Sequence, residues 1–206
     1  MRKNETESKQ KILEAAEAEF LEKGYEGAKT IAIAKRAGVS HTMLHYYYST
    51  KEELFQRIFK EKAQLLSQMF NVVLEQNATF TETLRLLIET QFNFVATNPQ
   101  LPMFVSREIL SNKENLQWLI QTIYPHLLPF LSAFEKMFNA ELSKGTIRPV
   151  TFQNLLMNVI SLNISAFIAM PMLKEPLQLD SNEKMEKFLV ERRESNVQFI
   201  LKAMRP

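Results

Sequence analysis

Apolar residues along this chain recur at helical spacing rather than in the alternation of a half-buried strand, so an all-α protein is expected. Ile12, Ala16 and Phe20 fall at i, i+4 and i+8 on one helix face. Ser8 is placed to cap that helix, and Gly24 to end it in a left-handed cap after about Lys23. A short helix then fits Thr30 to Ala37, closed by Gly38, and Ser40 caps another from His41 to about Tyr48. A fourth helix starts at Thr50-Lys51-Glu52-Glu53, where Thr50 can accept from the Glu53 N–H and the Glu53 carboxylate can reach back to that of Thr50. It should run into the seventies with no flexible linker.

The later segments keep the helical period. "FTETLRLLIETQFNFVAT" stops before Asn98-Pro99, and Pro102 suits the first turn of the helix that follows. The segment from Asn115 to Gly145 predicts one kinked helix or two, bent at Pro125 and Pro129. Two long helices follow, over 151–173 and 181–204. The expected organisation is a small N-terminal domain over 1–52, holding the two short helices, and a larger helical domain over 53–206.

Composition narrows the chemistry. Four glycines against 10 methionines and 15 phenylalanines in 206 residues leave little material for tight turns, which again favours helices. The chain has no cysteine, which excludes disulfides, zinc–thiolate sites and cysteine nucleophiles. The N-terminal "MRKNETESKQKILEAA" lacks the apolar core of a signal peptide, so a cytoplasmic protein is expected. A net charge of +2 decides nothing as a total, but its placement does. Gly27 to Lys51 contains no Asp or Glu while holding Lys29, Lys35, Arg36 and Lys51. Such a local positive field suits a phosphate backbone.

Two short helices joined by a glycine-centred turn have the geometry of a helix-turn-helix. Ala34 is small where the helices approach, Gly38 sits at the turn, and Ile33, Ala37, Val39 and Leu44 supply the apolar contacts. The second helix would enter the major groove and present its N-terminal residues to base edges. "TIAIAKRAGVSHTMLHYYYSTKEELF", preceded by "KILEAAEAEFLEKGYEGA", resembles the DNA-binding domain of TetR-type transcriptional repressors, without gaps over about residues 8–60. The resemblance implies a homodimeric repressor reading a near-palindromic operator. It places His41, Thr42, Met43, His45 and Tyr46 on the recognition helix. Tyr47 and Lys51 match phosphate contacts, and Leu44 and Tyr48 match packing positions. Thr30 and Ser40 complete the expected DNA-binding set.

His41 and His45 at i, i+4 could face one metal ion, but two ligands rarely suffice and the nearest carboxylates belong to the next helix's cap, so no metal site and no cofactor is expected. Three consecutive tyrosines span about 200° of a helix and cannot all face one partner; Tyr48 is assigned inward. Residues 149–173 carry no charge, yet Asn154, Asn158, Ser161 and Ser165 form a polar stripe. A helix packed on all sides is therefore expected there rather than a membrane span.

The resemblance also implies a small-molecule effector, apolar or amphipathic. Phe92, Met103, Phe104, Trp118, Phe130, Phe134 and Met137 are candidate lining residues, with Arg107 as a polar member; at helical spacing any one aromatic or methionine is more often ordinary core. Pairing 151–173 with 181–204 across a two-fold axis would give an intersubunit four-helix bundle. The expected function is a ligand-responsive transcriptional regulator, with a ligand-binding protein lacking DNA function as the alternative. No HExxH, glycine-rich phosphate loop or nucleophile elbow is present, and no enzyme is expected.

Overall fold

The computed structural model describes residues 2–111 and 113–206, with side chains over 5–108 and 117–206. Among the described residues there are nine helices and no strand. They are α1 (Arg2–Gly27), α2 (Thr30–Ala37), α3 (His41–Tyr47), α4 (Lys51–Glu75), α5 (Phe80–Thr97), α6 (Leu101–Ser111), α7 (Lys113–Lys144), α8 (Phe152–Leu173) and α9 (Asn182–Ala203).

The chain divides into two compact units, and the division differs from the expected boundary at residue 52. One unit comprises Met1–Gln64 with Phe104–Tyr124, the other Leu65–Met103 with Pro125–Pro206. The reason lies in α4. Its first turns bury Leu54, Phe55, Ile58 and Phe59 in the first unit. The Phe55 ring meets Phe20 edge-on at 5.5 Å and lies 5.6 Å from the Trp118 ring.

In that first unit, α1 starts upstream of the expected cap, so Ser8 lies inside the helix. Glu5–Lys9 and Glu7–Lys11 pairs at 3.1 and 2.7 Å support the added turns. Each such pair, with glutamate N-terminal to lysine, favours helix by about 0.2–0.5 kcal/mol. Gly24 breaks the helix with φ 76° and ψ 172°, a positive φ but not the left-handed helical cap that was expected. Tertiary contacts dictate that shape. The Tyr25 N–H leaves the helix pattern to donate to Glu108 Oε1 at 3.1 Å, and the Arg107 guanidinium lies 3.0 Å from where a Gly24 Cβ would stand.

The α2–α3 turn matches expectation. Gly38 is left-handed (φ 69°, ψ 27°), and the Val39 N–H donates to Ala34 O at 3.0 Å, closing the end of α2. Ser40 Oγ accepts from the Met43 N–H at 3.0 Å. At α4, Thr50 Oγ1 accepts from the Glu53 N–H at 3.0 Å, whereas the Glu53 carboxylate accepts from Ser49 N–H at 2.9 Å, one residue before the expected partner.

In the second unit α5 packs against α8 and α9. A core of Phe70, Leu84, Ile88, Phe134, Phe138, Leu155 and Ile200 fills it. Helix α7 is continuous through Pro125 and Pro129. Ser67 donates to His126 O at 2.6 Å between the two prolines. By length and composition α8 could span a bilayer, with a mean hydropathy of 1.7. It buries Phe152, Leu155, Asn163 and Phe167 on one side only. The stripe Asn154, Asn158, Ser161 and Ser165 is exposed, beside Met157 and Ile160, so the helix is not packed on all sides.

Candidate functional sites: a helix-turn-helix face and an apolar cavity

Helix α3 sorts its residues by face. Leu44 is fully buried and Tyr48, its C-cap, nearly so, while His41, Thr42, Met43, His45 and Tyr46 are exposed. Tyr46 is 80% exposed. Tyr47 is half-buried, with Lys9 Nζ 5.4 Å from its ring centre. The tyrosine triplet thus divides as helix geometry requires. Burial raises the Tyr48 phenol above its ordinary pKa; Arg57 opposes that shift, and Glu61 and Glu53 add to it.

The histidines join a hydrogen-bonded string across the exposed face. His45 Nδ1 lies 3.3 Å from Ser49 O, an atom that can only accept. With both rings neutral, His45 Nε2 is then the acceptor for His41 Nε2–H at 3.1 Å. Thr30 Oγ1, from the first turn of α2, lies 3.0 Å from the same His41 nitrogen. Among the described residues no group of three or more His, Cys, Asp or Glu side chains converges as a metal site.

Lys51 is held at the other edge. Its ammonium donates to Tyr25 O at 2.8 Å and Ala28 O at 3.3 Å, and it stands 4.5 Å from the Tyr25 ring centre. A lysine ammonium has three N–H donors, so one remains beyond these carbonyls. Lys29 and Lys35 are exposed, whereas Arg36 pairs with Glu22 at 2.7 Å. The acid-free sequence window is therefore a positive surface with one of its four cations already neutralised from α1.

The second unit contains an apolar cavity of about 190 Å³. Of the candidate lining residues, Phe130 and Phe134 border it. The other candidates lie elsewhere. Phe92 packs in a second cluster with Phe94, Val95 and Phe167. Met137 packs against the main core, and Met103 is exposed. Phe104, Arg107 and Trp118 belong to the first unit, where Phe104 stacks on Phe59 at 5.2 Å and Arg107 donates to Phe20 O at 3.2 Å. Aromatic spacing alone could not separate these places, because it fixes a helix face and not what that face meets. Sequence reasoning missed Gln91, the cavity's one polar lining residue, and the buried Asn163 and Asn196 behind it. A polar residue inside an apolar helical run, as in "ISLNISAF", is the signal that pointed there.

Residues 12–58 match the model of the family described as "Bacterial regulatory proteins, tetR family". The fatty acid metabolism regulator protein of Bacillus subtilis (strain 168) is 28% identical over 137 residues, 66% of this chain and 69% of that protein. The fold matches that of HlyIIR, a hemolysin II transcriptional regulator, with a TM-score of 0.68 at 21% identity over 98% of this chain and 99% of the other. It also matches FadR from Bacillus subtilis in complex with stearoyl-CoA, with a TM-score of 0.68 at 23% identity over 95% and 99%. These relatives are regulators rather than enzymes. The family match spans α2, α3, the left-handed glycine turn and the exposed face described above, and residues 12–58 form a DNA-binding segment of the TetR type.

Proposed function

We propose that the chain is a cytoplasmic, homodimeric repressor that binds a near-palindromic operator and releases it when an amphipathic acyl compound occupies the second unit. The observation that carries the DNA half is the sorting of α3: His41, Thr42, Met43, His45 and Tyr46 exposed together, over a buried Leu44 and Tyr48. Thr30, Tyr47 and Lys51 flank them as phosphate contacts, with Ser40 fixing the start of the helix. Phosphate contacts set register and base contacts set sequence.

Dimerisation through 151–173 and 181–204 is supported by the exposed face of α8, with Met157 and Ile160 beside small polar residues, and by the exposed Phe199 of α9. The effector class is supported by a relative named for fatty acid metabolism and a structural neighbour bound to stearoyl-CoA. The apolar cavity suits the tail of such a molecule. An apolar cavity of about 150 Å³ accepts benzene. One of 190 Å³ therefore takes a short alkyl segment, and a longer tail requires its lining side chains to move.

The test is selection of bound duplexes from a random pool, with and without stearoyl-CoA. Two inverted half-sites with centres about 34–36 Å apart, or a multiple, are expected. Loss of enrichment on adding the acyl-CoA is expected as well. Recovery of single half-sites would remove the dimer, and enrichment indifferent to the acyl-CoA would remove the effector class.

A further inference from the structure

The cavity wall carries one carboxamide whose orientation is fixed from a distance. Asn163 of α8 is fully buried and Asn196 of α9 is 1% exposed. Asn196 Nδ2 donates to Leu162 O and to Asn163 Oδ1, both at 3.0 Å. Asn163 Nδ2 donates to Ile88 O at 2.9 Å and to Gln91 Oε1 at 3.0 Å. The two backbone carbonyls can only accept, so each asparagine is locked with its nitrogen towards them. Both Asn163 N–H groups are then used, and Gln91 must offer its oxygen to Asn163. What Gln91 has left is its NH2 group, a donor pair, beside one lone pair on an oxygen that already accepts from Asn163. The remaining lining residues, among them Leu84, Leu87, Phe130, Phe134 and Leu155, are all apolar.

We infer that Gln91 is the specificity-determining residue of the effector cavity, donating a hydrogen bond to a neutral carbonyl oxygen at the head of an alkyl chain. The inference rests on the cavity being the effector site. A wall whose one polar group has its oxygen engaged and its NH2 free discriminates by what it leaves unpaired. An ester or thioester carbonyl accepts the Gln91 N–H. An amine or ammonium brings donors to the NH2 group and meets only an oxygen already turned to Asn163, and a carboxylate enters with no cation to balance it. The ladder also makes the bound carbonyl part of a string that ends on α8 and α9, the two helices proposed to dimerise.

Competition against 1-anilinonaphthalene-8-sulfonate on the full-length protein tests this with three probes of similar length: methyl octanoate, nonane and octylamine. The ester should bind about 3- to 10-fold more tightly than nonane, the worth of one ordinary hydrogen bond, and octylamine more weakly than the ester. Gln91→Leu should abolish the ester's advantage over nonane. An ester preference that survives in Gln91→Leu overturns the role of Gln91 and leaves the cavity standing as a site. Failure of the wild type to bind either ester or nonane removes the cavity itself, as does binding undiminished by Val159→Trp, which fills it.

Discussion

Replacing Lys51 by methionine separates two tasks that its ammonium performs. The substitution keeps the alkyl stem and removes the charge, so Tyr25 O and Ala28 O lose their donor and the Tyr25 ring loses its cation. A hydrogen bond to a charged group contributes about 1.5–3 kcal/mol and an exposed cation–π contact about 0.5–1. The site is half-buried, so the lower ends apply, and the Ala28 bond, at 3.3 Å, is too long to add a second full contribution. The first unit should lose about 2 kcal/mol, read by urea denaturation. The DNA effect has a different signature. If the remaining N–H meets one phosphate, its loss reduces the slope of log K against log salt by about 0.9. Over the fourfold change from about 50 to 200 mM salt, the affinity gap between wild type and Lys51→Met should narrow about 3.5-fold. Fluorescence anisotropy on a non-specific duplex at temperatures where both proteins are folded reads that gap directly. A gap that stays constant across salt would refute the phosphate contact and leave Lys51 as a brace for the α1–α2 turn.

Two further substitutions test the scaffold of the reading face. The Tyr48 phenol titrates higher in the folded than in the unfolded chain, so its contribution is fully present below the unfolded value of 10 and is lost as pH rises through the folded value. Tyr48→Phe should therefore flatten the alkaline fall in stability above pH 10, and an unchanged fall would assign it to other groups. Gly24→Ala should destabilise the first unit by about 1–3 kcal/mol, since it puts a Cβ at a positive φ and 3.0 Å from the Arg107 guanidinium. Wild-type stability in denaturant would mean the kink relaxes without cost.

The reading face was legible in the sequence because its determinants are local. Ser40 caps, Gly38 turns and Ala34 gives way within a few residues of one another, and the division of Tyr46, Tyr47 and Tyr48 follows from 100° per residue. Lys51 was singled out from its position, but its partners Tyr25 O and Ala28 O lie across a turn whose shape depends on Gly24. That shape is set by Glu108, 83 residues from Tyr25. Non-local contacts also hid the cavity. Gln91, Asn163 and Asn196 sit on three helices, and nothing local to any of them announces the other two. Arg107 was expected beside a ligand for a similar reason: its charge was visible, and Gly24 as its neighbour was not.

The first unit is assembled from two stretches of chain with residues 65–103 threaded between them. During synthesis α1, α2 and α3 emerge first, yet Phe104, Glu108 and Trp118, which complete the packing around Phe55 and the Gly24 kink, do not exist until about 60 residues later. At about 5–20 residues per second, that interval is about 3–12 s. Throughout it, Phe55 and Phe59 lack part of their cover, so a newborn chain cannot present a finished reading head. Completion of the first unit is thereby tied to production of the helices that follow, and a chain interrupted at Gln64 would carry the whole exposed face of α3 without Phe104, Glu108 and Trp118.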